Sequence, residues 1–140
     1  TPNHDKYVSE FPTAVLKCMG NAVGNPKGVM GGSEVGHLTL GAGRVVWQGQ
    51  ELINRAIEDK SFFENKSLLH GIENCKENNS ALHLMGLFSD AGVHSDLDHL
   101  FALMELAKLN GLSKVFIHLI LDGRDVPERS TLEILKRLKS

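Results

Sequence analysis

The chain has 140 residues, enough for one ordinary domain or for parts of two. Hydrophobic residues make up 41% and charged residues 23%, which is a globular mixture, and a net charge of −2 offers no basic field for nucleic acid or an anionic membrane surface. An anionic small molecule would have to be held by individually placed arginines. No apolar run approaches the roughly 18 residues of a transmembrane helix. Thr1-Pro2-Asn3-His4-Asp5 lacks the basic-then-apolar pattern of a secretory signal. Cys18 and Cys75 have no metal-ligand spacing and form no disulfide framework, so reduced thiols and a cytoplasmic location are expected.

The stretch up to about Gly28 carries scattered apolar residues, and Gly24-Asn25-Pro26 reads as a turn. Gly28, Gly31 and Gly32 then precede Ser33, and a helix-compatible run comes after it. Glycines allow sharp turns and close backbone approach, so Ser33 can stand exposed where the chain enters a helix. Unpaired N–H groups and the positive dipole end there suit a phosphate, bound or covalently held. A plain N-cap serine fits the same pattern. His37 lies one turn further on and reads as a polar helix histidine rather than a base, because i,i+4 neighbours need not aim at one atom. Gly41-Ala42-Gly43 with Arg44 is too common a string to assign to phosphate.

From Trp47 to Lys60, Leu52, Ile53, Ala56 and Ile57 fall on one helical face and Glu51, Arg55, Glu58 and Asp59 on the other. Ser61 and Ser67 are each placed to cap the segment after them, and Leu68, Leu69 and Ile72 mark a helix ending near Asn78-Asn79. The period then changes: Ala81–Leu87 and Val115–Leu121 read as short buried strands. Between them, Ser95 with Asp98 resembles a capping box, and Leu97, Leu100, Phe101, Met104 and Ala107 form an apolar face that Gly111 terminates. Ser130-Thr131-Leu132-Glu133 is a second capping-box pattern, with Leu135 and Leu138 beyond it. Strand, loop, helix, strand, loop, helix is the order of a parallel βαβ unit.

In open parallel sheets, ligands gather beyond the carboxyl ends of the strands. Two polar loops leave those ends, 88–95 and 122–130, so neighbouring strands would bring His94 and Arg124-Asp125 to one crevice. Arginine grips carboxylate or phosphate bidentately. A neighbouring carboxylate can carry the proton of an attacking or departing hydroxyl. Asp90 and Asp122 read as turn formers. His83 and His118 read as structural histidines within apolar strands, His99 as lying on the polar side of its helix, and Met85 and Met104 as core filler.

The string Met30-Gly31-Gly32-Ser33-Glu34-Val35-Gly36-His37, with Leu40-Gly41-Ala42-Gly43-Arg44 after it, closely resembles the Met-Gly-Asn-Ser-Glu-Val-Gly-His and Ile-Gly-Ala-Gly-Arg segments of the cofactor-independent phosphoglycerate mutases. The resemblance takes in Thr1-Pro2-Asn3 upstream, and Ser89-Asp90-Ala91-Gly92-Val93-His94-Ser95 and Asp122-Gly123-Arg124-Asp125 downstream. It departs at Gly32, where the family usually has Asn, and at Thr39, where it often does.

The resemblance implies an α/β fold in two parts. Residues 1–47 would be part of an alkaline-phosphatase-like metal domain, and residues 48–140 part of an inserted α/β transferase domain with parallel βαβ units. It implies interconversion of 3- and 2-phosphoglycerate in glycolysis and gluconeogenesis, with Ser33 as nucleophile, as phosphoserine carrier and as a ligand to one of two divalent metals. Manganese is the first expectation for those metals, with magnesium or cobalt as alternatives, and 2,3-bisphosphoglycerate is not required. His94, Arg124 and Asp125 would bind substrate. No nucleic-acid or membrane partner is implied, and the full-length protein would be a monomer. The family's members are several times longer, so the chain reads as an N-terminal fragment that is inactive alone. The alternatives are another phosphatase or phosphomutase of the alkaline-phosphatase superfamily and a non-catalytic phosphoglycerate-binding remnant.

Overall fold

A computed structural model describes residues 1–138. The chain divides into two compact units, Thr1–Trp47 and the remainder from Gln48. In the first, helix α1 spans Pro2–Glu10, with Pro2 at its first turn where a missing N–H costs nothing. No apolar period marks this stretch in the sequence, because α1 buries no residue. A 3-10 turn at Gly20–Val23 and helix α2 at Ser33–Ala42 complete the unit. Gly43, at φ +63, ends α2 in the left-handed region and donates its N–H to the Leu40 carbonyl, so this glycine serves helix termination.

The second unit runs α3 (Gly49–Glu58), a 3-10 turn (Ser61–Glu64), α4 (Lys66–Glu77), β1 (Leu82–Phe88), α5 (Leu97–Leu109), β2 (Val115–Leu121) and α6 (Thr131–Leu138). β1 and β2 pair in parallel, from Leu82 opposite Val115 to Phe88 opposite Leu121, which is the βαβ order expected. Two hydrophobic clusters lie along α5. Its end packs Leu106 and Ala107 with Ile72 of α4, against Leu82 and Val115 at the strand starts. Its beginning packs Leu97 with Phe88 and with Ile134 of α6, against Leu119.

Several local readings change. The cap of α4 is Asn65, whose side chain accepts the N–H groups of Ser67 and Leu68, and the Ser61 N–H goes to the Asp59 carboxylate. Neither serine caps. The cap of α5 is Asp96, which accepts the N–H of Asp98, while the Ser95 hydroxyl is buried without a partner among the described residues. The Ser130 box does not form: Glu133 bonds Lys136, and the Ser130 hydroxyl is also without a partner among the described residues. Leu132 is exposed and Ile134 is buried in its stead.

On α3 the expected faces are partly exchanged. Glu51 is buried and bonds Arg55 at 2.9 Å, whereas Leu52 is exposed. The strands are buried on one side only. His83, Met85, Phe116, His118 and Ile120 are exposed, so Met85 is not core filler and the two histidines lie on the open face of the strands. Instead His83 Nδ1 lies 2.8 Å from His118 Nε2, and the His83 ring stacks on Phe116. His99 is not on a purely polar side: half-buried, it places Nε2 2.6 Å from Asn54 Oδ1 and ties α5 to α3.

Candidate active site

In the first unit, the backbone before Ser33 is held tightly. Gly20 N–H bonds the Val29 carbonyl at 2.8 Å, Val29 N–H bonds the Pro26 carbonyl at 3.1 Å, and the Asn25 amide reaches the Met30 carbonyl at 3.0 Å. A Cβ on Gly31 would stand 1.8 Å from the Cys18 carbonyl oxygen, so only glycine lets these two segments touch. Gly32 is different. It has extended φ and ψ of −147° and 174°, and a Cβ there would meet nothing within 4 Å.

Gly32 is the N-cap of α2 and Ser33 the first helical residue, exposed, its hydroxyl making no cap bond. The plain N-cap reading of Ser33 is therefore wrong by one position. The Gly36 N–H is bonded to the Gly32 carbonyl, and the N–H groups ahead of it have no acceptor within the helix. They form the positive end of the helix dipole at the turn that carries Ser33.

His37 Nδ1 lies 2.6 Å from the Ser33 carbonyl oxygen and 3.3 Å from Ser33 Oγ. A carbonyl only accepts, so Nδ1 carries the proton and donates. The same nitrogen then has no lone pair with which to take a proton from Oγ. His37 is a donor to the helix backbone here and not the base of a Ser–His pair.

In the second unit the loops leaving β1 and β2 meet. His94 Nε2 lies 3.7 Å from Asp125 Oδ2, an ion pair whenever the imidazole is doubly protonated. His94 is 62% exposed and the Asp125 side chain 16%, so the imidazole faces solvent while the carboxylate is partly enclosed. Arg124 is exposed, and its guanidinium makes no hydrogen bond or ion pair among the described residues.

Beneath them, Asp122 accepts the N–H groups of Arg124 (2.9 Å) and Asp125 (3.1 Å) on Oδ1, and the Ser89 hydroxyl (2.6 Å) on Oδ2. The Ser89 hydroxyl, then those two N–H groups, hold the Asp122 carboxyl below the usual aspartate range. Asp122 is thus the turn former expected. Ser89 escapes sequence reasoning, since nothing in a sequence marks a serine just past a strand as buried against a carboxylate on the next one.

Among the described residues, no group of three or more His, Cys, Asp or Glu side chains converges as a metal site. Ser33 offers one oxygen, which does not by itself fit a two-metal centre. No helix among the described residues is long and apolar enough to cross a membrane. Both cysteines are free, Cys18 exposed and Cys75 buried.

A family model described as BPG-independent PGAM N-terminus (iPGM_N) matches residues 53–140. The chain belongs to that family. It is 51% identical over 139 residues to the 2,3-bisphosphoglycerate-independent phosphoglycerate mutase of Staphylococcus saprophyticus, covering 99% of this chain and 28% of that protein. It is 55% identical over 139 residues to the mutase of the same name from Desulforudis audaxviator, covering 99% and 27%. Among solved structures, Leishmania mexicana phosphoglycerate mutase at low cobalt concentration superposes with a TM-score of 0.71 at 36% identity, over 99% of this chain and 26% of that one. The chain therefore spans little more than a quarter of the length of these mutases.

Proposed function

We infer that the protein at the length of its relatives interconverts 3- and 2-phosphoglycerate, and that this chain supplies the nucleophile and part of the substrate site. The observation that carries the reading is the meeting of His94 with Asp125 across the ends of two parallel strands, in a chain half identical to phosphoglycerate mutases over almost its whole length.

Residues 1–47 are read as part of an alkaline-phosphatase-like domain and the rest as part of the transferase domain. Ser33 Oγ attacks the phosphoryl phosphorus of the substrate. The Ser33 hydroxyl releases its proton as its oxygen bonds phosphorus, and the bond from phosphorus to the substrate oxygen breaks. That oxygen takes a proton up, so none is gained or lost overall, and Ser33 carries the phosphate. The free N–H groups of the first turn of α2 stabilise the added charge. The return transfer to the other hydroxyl reverses these bonds.

Between transfers the glycerate stays bound. Arg124 grips its carboxylate, His94 adds a hydrogen bond, and Asp125 carries the proton of the hydroxyl that leaves or attacks. Divalent metals, manganese first, would need ligands besides Ser33, and no step is assigned to them. The protein is read as a cytoplasmic monomer acting on a small molecule.

Quenching the full-length enzyme during turnover and mapping phosphopeptides tests the reading. Phosphate should be found on Ser33, and Ser33→Ala should abolish turnover with an unchanged melting temperature, since the side chain is exposed and caps nothing. The 140-residue chain alone should show none. Phosphate on His37 or His94 would replace the mechanism.

A further inference from the structure

The most deeply buried polar groups at the strand ends are not the ones that face the substrate. Ser89 is 1% exposed and Asp122 8%. Each is the first residue past its strand, next to Phe88 and Leu121, which are partners in the parallel register. The Ser89 hydroxyl gives its single proton to Asp122 Oδ2 at 2.6 Å and accepts the Ala91 N–H at 3.3 Å. Asp122 Oδ1 takes the N–H groups of both Arg124 and Asp125. One carboxylate therefore binds the loop that leads to His94 and the two consecutive residues of the opposite loop.

We propose that Ser89 and Asp122 are positioning residues for substrate, a buried latch that sets the His94 loop against Arg124 and Asp125. The inference rests on the reading of these loops as the glycerate site. Four bonds converge through two side chains, and both oxygens of the buried carboxylate are engaged by loop donors, so Asp122 faces the loops and not the substrate. Its bonds fix two successive peptide planes, and those planes set the directions of the Arg124 and Asp125 side chains. Charge-assisted bonds in a buried place are short and directional, which suits a part whose work is placement. Serine is fitted to the cross-loop bond because it donates one proton and keeps lone pairs for the Ala91 N–H. Loss of its hydroxyl would leave Asp122 Oδ2 short of a partner and free the two loops to move apart.

The test compares full-length wild type, Ser89→Ala, Asp122→Asn and Arg124→Ala by steady-state kinetics with 3-phosphoglycerate, with folding checked by circular dichroism. Ser89→Ala should raise KM at least fivefold, and kcat should fall as well, because the loosened loop also carries Asp125 and its proton. A merely structural residue would lower the melting temperature or the active fraction and leave KM alone. Should Ser89→Ala fail to fold, the near-isosteric Asp122→Asn decides, with an expected rise in KM of at least threefold. Wild-type KM in the folded variant overturns the latch. If Arg124→Ala raises KM while the latch variants do not, the latch fails and the substrate reading stands. If Arg124→Ala leaves KM unchanged, the loops are not the glycerate site and both readings fall.

Discussion

In Thr1–Trp47 the buried residues are Gly20, Val23 and Gly24, whereas from Gln48 onward α5 alone buries Leu97, Ala102, Leu106 and Ala107 between two hydrophobic clusters. The first unit carries the candidate nucleophile on a backbone shaped by close contacts between main-chain segments. The second carries candidate substrate groups on loops anchored to a packed βαβ unit. Glycines and carbonyls do for Ser33 what a core does for His94 and Asp125. The two regions should accordingly break under different substitutions.

The largest effect should come from the packed unit. Leu106 is 1% exposed at the meeting of α4, α5 and the strand starts. Leu106→Ala removes that packing and leaves a cavity, and should cost about 2–5 kcal/mol of unfolding free energy. Urea denaturation monitored by circular dichroism measures it. A cost under about 1 kcal/mol would mean that the second unit is no better packed than the first.

Next comes the glycine pair before Ser33. Gly31→Ala pushes a methyl against the Cys18 carbonyl, where backbone must move, while Gly32→Ala adds one into open space. The first should cost about 1–3 kcal/mol and the second stay within about 0.5 kcal/mol, compared in paired urea melts. Equal costs would remove the claim that one of the two is required by contact.

Legibility in the sequence divides along the same line. β2 is readable from Val115 to Leu121 as it stands, and α5 and its termination at Gly111 are also clear, because burial on a helix imposes a period. α1 buries nothing and so leaves no period to find. Glu51 and Leu52 fall on the wrong sides because the pattern assumes that charged residues face water, whereas Glu51 is paired with Arg55 and enclosed. An apolar run suggests strands covered on both faces, yet His83, Met85 and Phe116 are exposed. For the site, strand-end topology groups His94 with Asp125 ahead of any coordinates. Ser89 is not legible, because its partner is 33 residues away and only the register of β1 on β2 brings them together.

The latch also predicts an effect confined to acid. The Asp122 carboxyl is held below its ordinary value in the folded protein. A depressed folded pKa means that its stabilisation is complete above the unfolded value, about 3.9, and is lost as pH falls through the folded one. Below about pH 4, wild type should therefore lose stability with falling pH more steeply than Asp122→Asn, which cannot take up the proton. Urea midpoints from about pH 6 to about pH 2.5 compare the two. Parallel curves would show that the carboxylate gains nothing from Ser89 and the two N–H groups.

The smallest expected effect bears on the residue where the chain departs from the pattern it otherwise resembles. Gly32 is the N-cap of α2 in extended backbone, with room for a side chain. Asparagine is among the best N-cap residues and glycine only a few tenths of a kcal/mol behind. Gly32→Asn should therefore fold without strain and place its side-chain oxygen toward the N–H of Glu34 or Val35. Amide exchange at that N–H should slow about twofold, the counterpart of a few tenths of a kcal/mol. Unchanged exchange at both would mean that the new side chain does not cap. A faster rate at either would mean that the entry to α2 resists a side chain, and that Gly32, like Gly31, is required by the shape of the loop.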